Sequence, residues 1–72
     1  MDDRIRILDV VALMGDLPAE GLRRGQVGTI VETLAPDVFE VEFNDNTGRT
    51  YACVALRAKQ VMVLHHEPAK LA

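Results

Sequence analysis

The 72-residue sequence has no tryptophan, and its only aromatic residues are one tyrosine and two phenylalanines. A hydrophobic core must therefore consist mainly of valine, leucine, isoleucine and alanine. The single cysteine, Cys53, excludes a disulfide within the chain and argues against a cysteine-based structural zinc site. One unpaired cysteine and an N-terminus without an apolar signal-peptide run are typical of a reducing cytoplasm, so we expect a cytoplasmic protein.

An excess of basic residues is also lacking. The formal net charge is −3 and the sequence pI is about 5.2, which disfavours binding to nucleic-acid phosphates or to an anionic membrane surface. No apolar run is long enough to span a bilayer. We therefore expect no membrane association, and we regard nucleic acid as a less favoured partner than protein. We also expect no cofactor.

The length of the chain allows one small domain with a thin margin of stability. The sequence predicts this domain over residues 7–64, with a flexible lead-in at 1–6 and a flexible tail at 65–72. Domains of this size often gain stability from a disulfide, a metal or a partner. Since the first two are disfavoured here, association with another protein, or self-association through an edge strand, is the remaining route.

Gly25–Leu34 is the stretch that best defines the fold. Its β-branched residues favour a strand, and its glycines indicate a sharp bend or a close approach to another backbone. Val38–Phe43 alternates, so Phe39, Val41 and Phe43 are predicted to face the core while Glu40 and Glu42 face solvent. The remaining predicted elements are a first strand over Ile7–Met14, a loop over Gly15–Arg24 in which Leu17 and Leu22 fold back onto the core, a hairpin strand over Arg49–Leu56, a 3₁₀ turn near Arg57–Gln60 and a short strand over Val61–Leu64.

Five short strands joined in this way predict an all-β protein. A small antiparallel sheet must curl on itself to bury one face. We therefore expect a partly open, five-stranded SH3-like barrel with a long first loop and a 3₁₀ turn before the last strand.

Two resemblances accompany this pattern. The segment Gly25-Gln-Val-Gly-Thr-Ile-Val31 resembles the start of a KOW motif, which implies an RNA- or ribosome-associated role. Over a longer span, the chain resembles a family of very short bacterial proteins known only as a domain of unknown function. The matching segments are Leu8-Asp-Val-Val-Ala-Leu13, Asp16-Leu-Pro18, Gly25-Gln-Val-Gly-Thr-Ile-Val-Glu32, Phe39-Glu-Val-Glu-Phe43 and Gly48-Arg-Thr-Tyr-Ala52. This resemblance implies one compact unit and transfers no catalytic residue.

The residues that could support chemistry do not form a recognisable catalytic set. His65 and His66 are adjacent, so on an extended chain they point to opposite faces and chelate poorly. Cys53 lies in mid-strand with no histidine spaced to act as its base. Glu40 and Glu42 fit a solvated sheet face. We predict no enzymatic activity and no metal site.

The predicted function is that of a protein-interaction or accessory module in a bacterial cytoplasm. By analogy with other SH3-like barrels, the binding groove should lie between the first loop and the neighbouring hairpin. The predicted protein-binding residues are Asp16, Leu17, Glu20, Arg49 and Tyr51. One version of this function is an antidote-like or regulatory partner that masks a basic neighbouring protein. The alternative is a KOW-like RNA-binding domain, which would use Arg23, Arg24 and Arg49.

Overall fold

The computed structural model describes residues 4–69. Its elements, in chain order, are β1 (Val10–Leu13), a 3₁₀ turn (Pro18–Glu20), β2 (Val27–Ala35), β3 (Val38–Asn44), β4 (Thr50–Arg57), a second 3₁₀ turn (Ala58–Gln60) and β5 (Val61–Val63). The strands form one antiparallel sheet in the order β4-β3-β2-β1-β5. The predicted all-β fold and the 3₁₀ turn before the last strand are confirmed, and the sheet is open, with β4 and β5 at its two edges.

The β2 strand departs from regular pairing beyond the glycines to which the sequence assigns a bend or a close approach. Its pairing with β3 shifts between Ile30 and Glu32 and again between Thr33 and Ala35, and such bulges bend a strand and increase its twist. Gly28 is the point of close approach, because a Cβ there would lie 2.7 Å from Val41 Cγ1 and 2.9 Å from the carbonyl oxygen of Glu42. Only glycine fits this position without displacing the neighbouring strand.

The core lies beneath the bent sheet and is built mainly from aliphatic side chains. Phe39, Val41 and Phe43 are buried, as predicted, and Phe43 and Val41 are wholly inaccessible to solvent. Leu22 is buried in the same cluster, and Leu17 packs against it while partly exposed, so both loop leucines cover the core as the sequence predicted. The other buried members of this cluster are Val11, Leu13, Ile30, Leu56 and Val61.

The predicted first strand was too long. Only Val10–Leu13 is extended, because the backbone turns before it. The Asp9 N–H donates to the Arg6 carbonyl at 3.0 Å, and Asp9 Oδ2 accepts from the Arg6 N–H at 2.8 Å. Leu8, within this turn, has φ of +77°, which a leucine rarely adopts. Hydrophobic character alone could not reveal this turn.

The predicted ends of the domain fall partly outside the described residues, since the lead-in includes residues 1–3 and the tail includes residues 70–72. Within the described part, Ile5 packs against the core. His65–Ala69 is exposed and outside any strand. Neither of the two short 3₁₀ turns in residues 4–69 approaches the length or apolar character of a membrane-crossing helix.

Candidate functional site

The first loop is held in one conformation by its own hydrogen bonds. Leu17 and Leu22 exchange two backbone hydrogen bonds, at 2.8 Å and 3.1 Å, across the Pro18–Glu20 turn. Gly21 completes this turn with φ of +70°, a conformation that glycine adopts without strain. Pairing of the two leucines anchors the loop on the core and leaves Glu20 exposed.

Two side chains fix the second half of the loop. Asp16 Oδ1 accepts a hydrogen bond from the Arg24 backbone N–H at 2.8 Å. Gln26 Oε1 accepts one from the Arg23 backbone N–H at 2.6 Å. The contacts engage only the backbone of the arginines, and both residues are exposed at the surface.

Tyr51 connects the β3–β4 hairpin with this loop. Its hydroxyl accepts a hydrogen bond from Gln26 Nε2 at 3.3 Å, and its ring lies 6.3 Å from the Phe43 ring at an angle of 42°. Tyr51 nevertheless remains 45% exposed. An aromatic ring that is oriented from two sides yet open to solvent can bind a partner with little loss of side-chain entropy.

Arg49 belongs to a rigid hairpin tip next to Tyr51. Asp45 Oδ1 accepts hydrogen bonds from the Thr47 hydroxyl at 2.7 Å, the Thr47 N–H at 2.9 Å and the Arg49 N–H at 3.1 Å. These bonds, chiefly the one from the Thr47 hydroxyl, lower the pKa of Asp45 below its ordinary value of 3.8. The ionised carboxylate therefore fixes the backbone from which Arg49 projects.

The predicted protein-binding residues fall into two groups. Asp16 and Leu17 line an open depression whose other side is formed by Lys59 and Gln60 of the second 3₁₀ turn. Tyr51 and Arg49 lie on the β3–β4 hairpin, which reaches the loop through Gln26. Within residues 4–69, no hydrogen bond or ring contact joins Tyr51 directly to Asp16, Leu17 or Glu20. Gln26 was missed by sequence reasoning, because a single glutamine before a strand carries no recognisable signal.

A second surface, the acidic face, is formed by Glu32, Glu40 and Glu42. Glu32 lies directly opposite Glu40 across the β2–β3 ladder, and Glu42 lies on the same side of β3 as Glu40. Like charges in directly opposed positions destabilise a sheet. The predicted orientation of Glu40 and Glu42 away from the phenylalanines is confirmed by the alternating burial of β3.

Cys53 lies beside this acidic face and is exposed. Partial desolvation raises its pKa, and the hydrogen bond that the thiol donates to Glu40 and the negative charges of Glu40 and Glu42 raise it further. Because the thiolate is the reactive form, this environment lowers the nucleophilicity of Cys53 at neutral pH.

His65 and His66 are exposed and follow β5. In the part of the chain from residue 4 to residue 69, no three histidine, cysteine, aspartate or glutamate side chains come together as a potential metal site.

Comparison with known proteins gives one match. The family model described as Domain of unknown function (DUF4926) matches residues 7–63, which is most of the chain and includes all five strands. None of the curated proteins or solved structures with which the chain was compared matches it.

Proposed function

The chain belongs to the DUF4926 family, and we propose that it is a non-enzymatic protein-interaction module of a bacterial cytoplasm. The observation that carries this proposal is the position of Tyr51, which is held by Gln26 and Phe43 while almost half of its surface is exposed. Tyrosine is among the residues that dominate binding energy at protein interfaces.

The surroundings of Tyr51 fit the same role. Arg49 supplies a nearby cation on a hairpin tip that is hydrogen-bonded to Asp45, and Asp16, Leu17 and Glu20 belong to a loop that is tied by its own hydrogen bonds. A surface that is ordered before binding loses less entropy on association. In this proposal Tyr51 supplies apolar contact, and the charged residues set the orientation of the partner.

The acidic face supports a more specific form of the proposal, an antidote-like or regulatory role toward a basic neighbouring protein. Glu32 and Glu40 lie directly opposite each other in the β2–β3 ladder, so their negative charges repel. A basic partner surface would relieve this repulsion and would be attracted before contact. The expected partner therefore carries lysine or arginine where it meets β2 and β3.

Site-specific photo-crosslinking in the native host tests the position of the interface. A photoreactive phenylalanine analogue at residue 51 is expected to capture a discrete protein. The matched control carries the same analogue at residue 34, since Leu34 is 46% exposed, close to the 45% of Tyr51. Equal capture from both positions, or no capture from residue 51, would contradict the proposal.

A second candidate function is RNA binding, favoured by two exposed arginines whose backbones lie close to Tyr51 or to its partner Gln26. Arg23 is tied through its backbone to Gln26, whose side chain reaches Tyr51, and Arg49 lies two residues before Tyr51 in the chain. Exposed aromatic rings combined with a positively charged groove are features of single-strand binding sites. The acidic net charge of −3 makes this the weaker candidate.

Fluorescence anisotropy with labelled single-stranded RNA distinguishes the two functions. RNA binding predicts an affinity that falls steeply with salt and is lost in the double variant Arg23→Glu, Arg24→Glu. Arg57→Glu, at the far end of β4 from Tyr51, is the control for a general change in charge. Absence of binding at low salt, or an equal loss in the control, removes this candidate.

A further inference from the structure

The outer side of the sheet, opposite the core, carries a row of apolar side chains where β5, β1 and β2 lie side by side. Met62 lies directly opposite Ala12, and Ala12 lies directly opposite Val27. Directly opposed residues project from the same face of a sheet, so these three side chains form one row, which we call the apolar row. Val11 and Leu13 alternate with Ala12 and belong to the core cluster, which does not include Ala12. The apolar row therefore faces away from the core.

The apolar row is open to solvent at both ends. Met62 is 51% exposed and Val27 is 45% exposed. Met14, also 51% exposed, lies two residues beyond Ala12 and lines one open depression together with Ala12 and Met62. Methionine side chains are flexible and polarisable, and they are common on surfaces that bind apolar partners. Contiguous apolar surface of this kind marks an interaction site.

The acidic face lies on the same side of the sheet as the apolar row. Thr29 is two residues from Val27 along β2 and lies directly opposite Glu42 of β3. Because side chains two residues apart on a strand share a face, Thr29 and Glu42 project from the same side as Val27. Glu40 follows two residues further along β3. From the ordinary spacings of strands and residues in a sheet, the backbone of Glu42 lies about 8 Å from that of Val27.

We propose that the outer side of the sheet binds a basic amphipathic helix of a partner protein, with the apolar stripe of the helix on the apolar row and its lysine or arginine side chains toward the acidic face. This inference rests on the proposed role toward a basic neighbouring protein, and it names the kind of segment that the partner presents. An α-helix is about 10–12 Å across with its side chains. A helix on the apolar row therefore holds the long, flexible cations of its flank within reach of the glutamates.

A helix fits this surface better than an extended or irregular segment. The apolar row crosses the face of the sheet, where the backbone groups of β1 and β2 are already paired, so it offers side chains and no strand to pair with. An irregular segment that covered the row would bury unpaired N–H and carbonyl groups, which is costly. A helix pairs these groups internally and presents apolar side chains at spacings of three and four residues.

Charge distinguishes this partner from other occupants of an apolar surface. Glu32, Glu40 and Glu42 would repel the headgroups of an anionic membrane and the phosphates of a nucleic acid. Arg24 lines the depression beside Met14, at the end of the apolar row away from the glutamates. The cations of the partner are therefore expected on the side toward β3, where they strengthen attraction before contact.

Fluorescence anisotropy with a labelled model helix tests the chemistry of the partner. The probe is a 14-residue peptide of two Leu-Lys-Lys-Leu-Leu-Lys-Leu repeats, and the matched control replaces every lysine with glutamate. The unaltered chain should bind the basic peptide, with an affinity that falls as salt is added, and should not bind the acidic one. Absence of binding to the basic peptide, or equal binding of both peptides, would overturn the inference.

Two variants test the apolar row without introducing charge. Met62→Gln and Val27→Thr should each weaken binding of the basic peptide by at least about fivefold, because each removes apolar contact while keeping the approximate shape of an exposed side chain. Leu34→Gln is the control, since Leu34 is 46% exposed and lies near the opposite end of β2 from Val27. An unchanged affinity in both row variants would contradict docking on the apolar row.

A double variant tests the acidic face. Glu40→Gln with Glu42→Gln should weaken binding of the basic peptide by about tenfold at low salt, and by less as salt is added. Asp37→Asn with Glu67→Gln changes the net charge equally at exposed positions and should have a much smaller effect. Equal losses in the two double variants would show attraction to the net charge alone and would overturn the proposed orientation of the helix.

Sedimentation equilibrium tests whether a second copy of the chain occupies the apolar row instead. The chain should keep its monomer mass of 7.9 kDa at the concentrations used for peptide binding. A dimer that Met62→Gln abolishes would identify a second copy as the occupant and would overturn the inference.

Photo-crosslinking from residue 62 in the native host separates this inference from the proposed Tyr51 interface. The captured segment, identified by mass spectrometry, should be rich in lysine or arginine and should carry apolar residues at helical spacing. Capture from residue 51 but not from residue 62, or capture of a segment without excess cations, would overturn this inference and leave the proposed function standing. Capture of a basic amphipathic segment from residue 62 alone would support this inference and remove the Tyr51 interface.

Discussion

Replacement of Gly28 by alanine tests the packing between β2 and β3 most directly. The added Cβ would lie 2.7 Å from Val41 Cγ1, 2.9 Å from the Glu42 carbonyl oxygen and 3.0 Å from Phe43 Cδ2. Val41 and Phe43 are wholly buried, and the Glu42 carbonyl belongs to a paired strand. None of the three neighbours is the free end of a flexible side chain, so relief requires a shift of the strand or of the core.

Overpacking of a core typically costs 1–3 kcal/mol, and we expect Gly28→Ala to lower the free energy of unfolding by about 2 kcal/mol. In a domain of this size that corresponds to a fall in Tm of roughly 8–16 °C. Thermal and urea unfolding, followed by far-UV circular dichroism, measure the change. A free energy within about 0.5 kcal/mol of the unaltered protein, the range of ordinary surface substitutions, would refute the close approach of β2 to β3.

Gly15 provides a matched control for this substitution. A Cβ at Gly15 would have nothing within 4 Å, and its φ lies outside the left-handed region. Gly15→Ala should therefore stabilise the protein by about 0.4–1 kcal/mol, because alanine restricts the unfolded chain more than glycine does. The opposite signs expected at the two positions separate a steric cost from a general effect of losing glycine.

Three further predictions concern single surface residues. Leu8→Gly should raise the free energy of unfolding, measured in urea, by about 0.5–1 kcal/mol, because glycine relieves the strained φ of +77°. This gain should outweigh the small loss of packing, since Leu8 is 75% exposed. A decrease would show that the Leu8 side chain stabilises the fold. Asp45→Ala should lower the free energy of unfolding at neutral pH, where the Asp45 carboxylate is ionised. The difference in stability between the variant and the unaltered protein should disappear as pH falls below 3.8 and through the lowered folded-state pKa of Asp45, because protonation removes the same stabilisation from the unaltered protein. A difference that persists in acid would contradict this. Glu40→Gln should increase the rate at which Cys53 reacts with iodoacetamide at neutral pH, because it removes a charge that raises the thiol pKa. An unchanged rate would mean that Glu40 does not raise this pKa.

The fold could be predicted from local sequence patterns, because each pattern reflects which side chains of a strand are buried. The alternation of Phe39, Val41 and Phe43 defined the core face of β3, and β3 then determined which side of β2 is buried. The glycine at the close approach between β2 and β3, Gly28, was also visible in the sequence, since no other residue fits so close to a neighbouring strand. These features depend on residues close in sequence or on an alternation of period two.

The turn at residues 6–9 could not be predicted in the same way. Ile7 and Leu8 continue the apolar run that leads into β1, yet a hydrogen bond from the Arg6 N–H to Asp9 closes the backbone before the strand begins. Both apolar residues are left exposed, at 54% and 75%. Hydropathy measures the preference of a side chain for burial. It carries no information about the hydrogen bond between Arg6 and Asp9 that turns the backbone before β1.

The candidate interface shows the same limit over a longer range. Tyr51 and the first loop were singled out by analogy with the binding groove of other SH3-like barrels. The residue that joins them is Gln26, which is separated from Tyr51 by 25 positions. Such a contact depends on the order of β2, β3 and β4 in the sheet, and it becomes visible only when the strands are assembled.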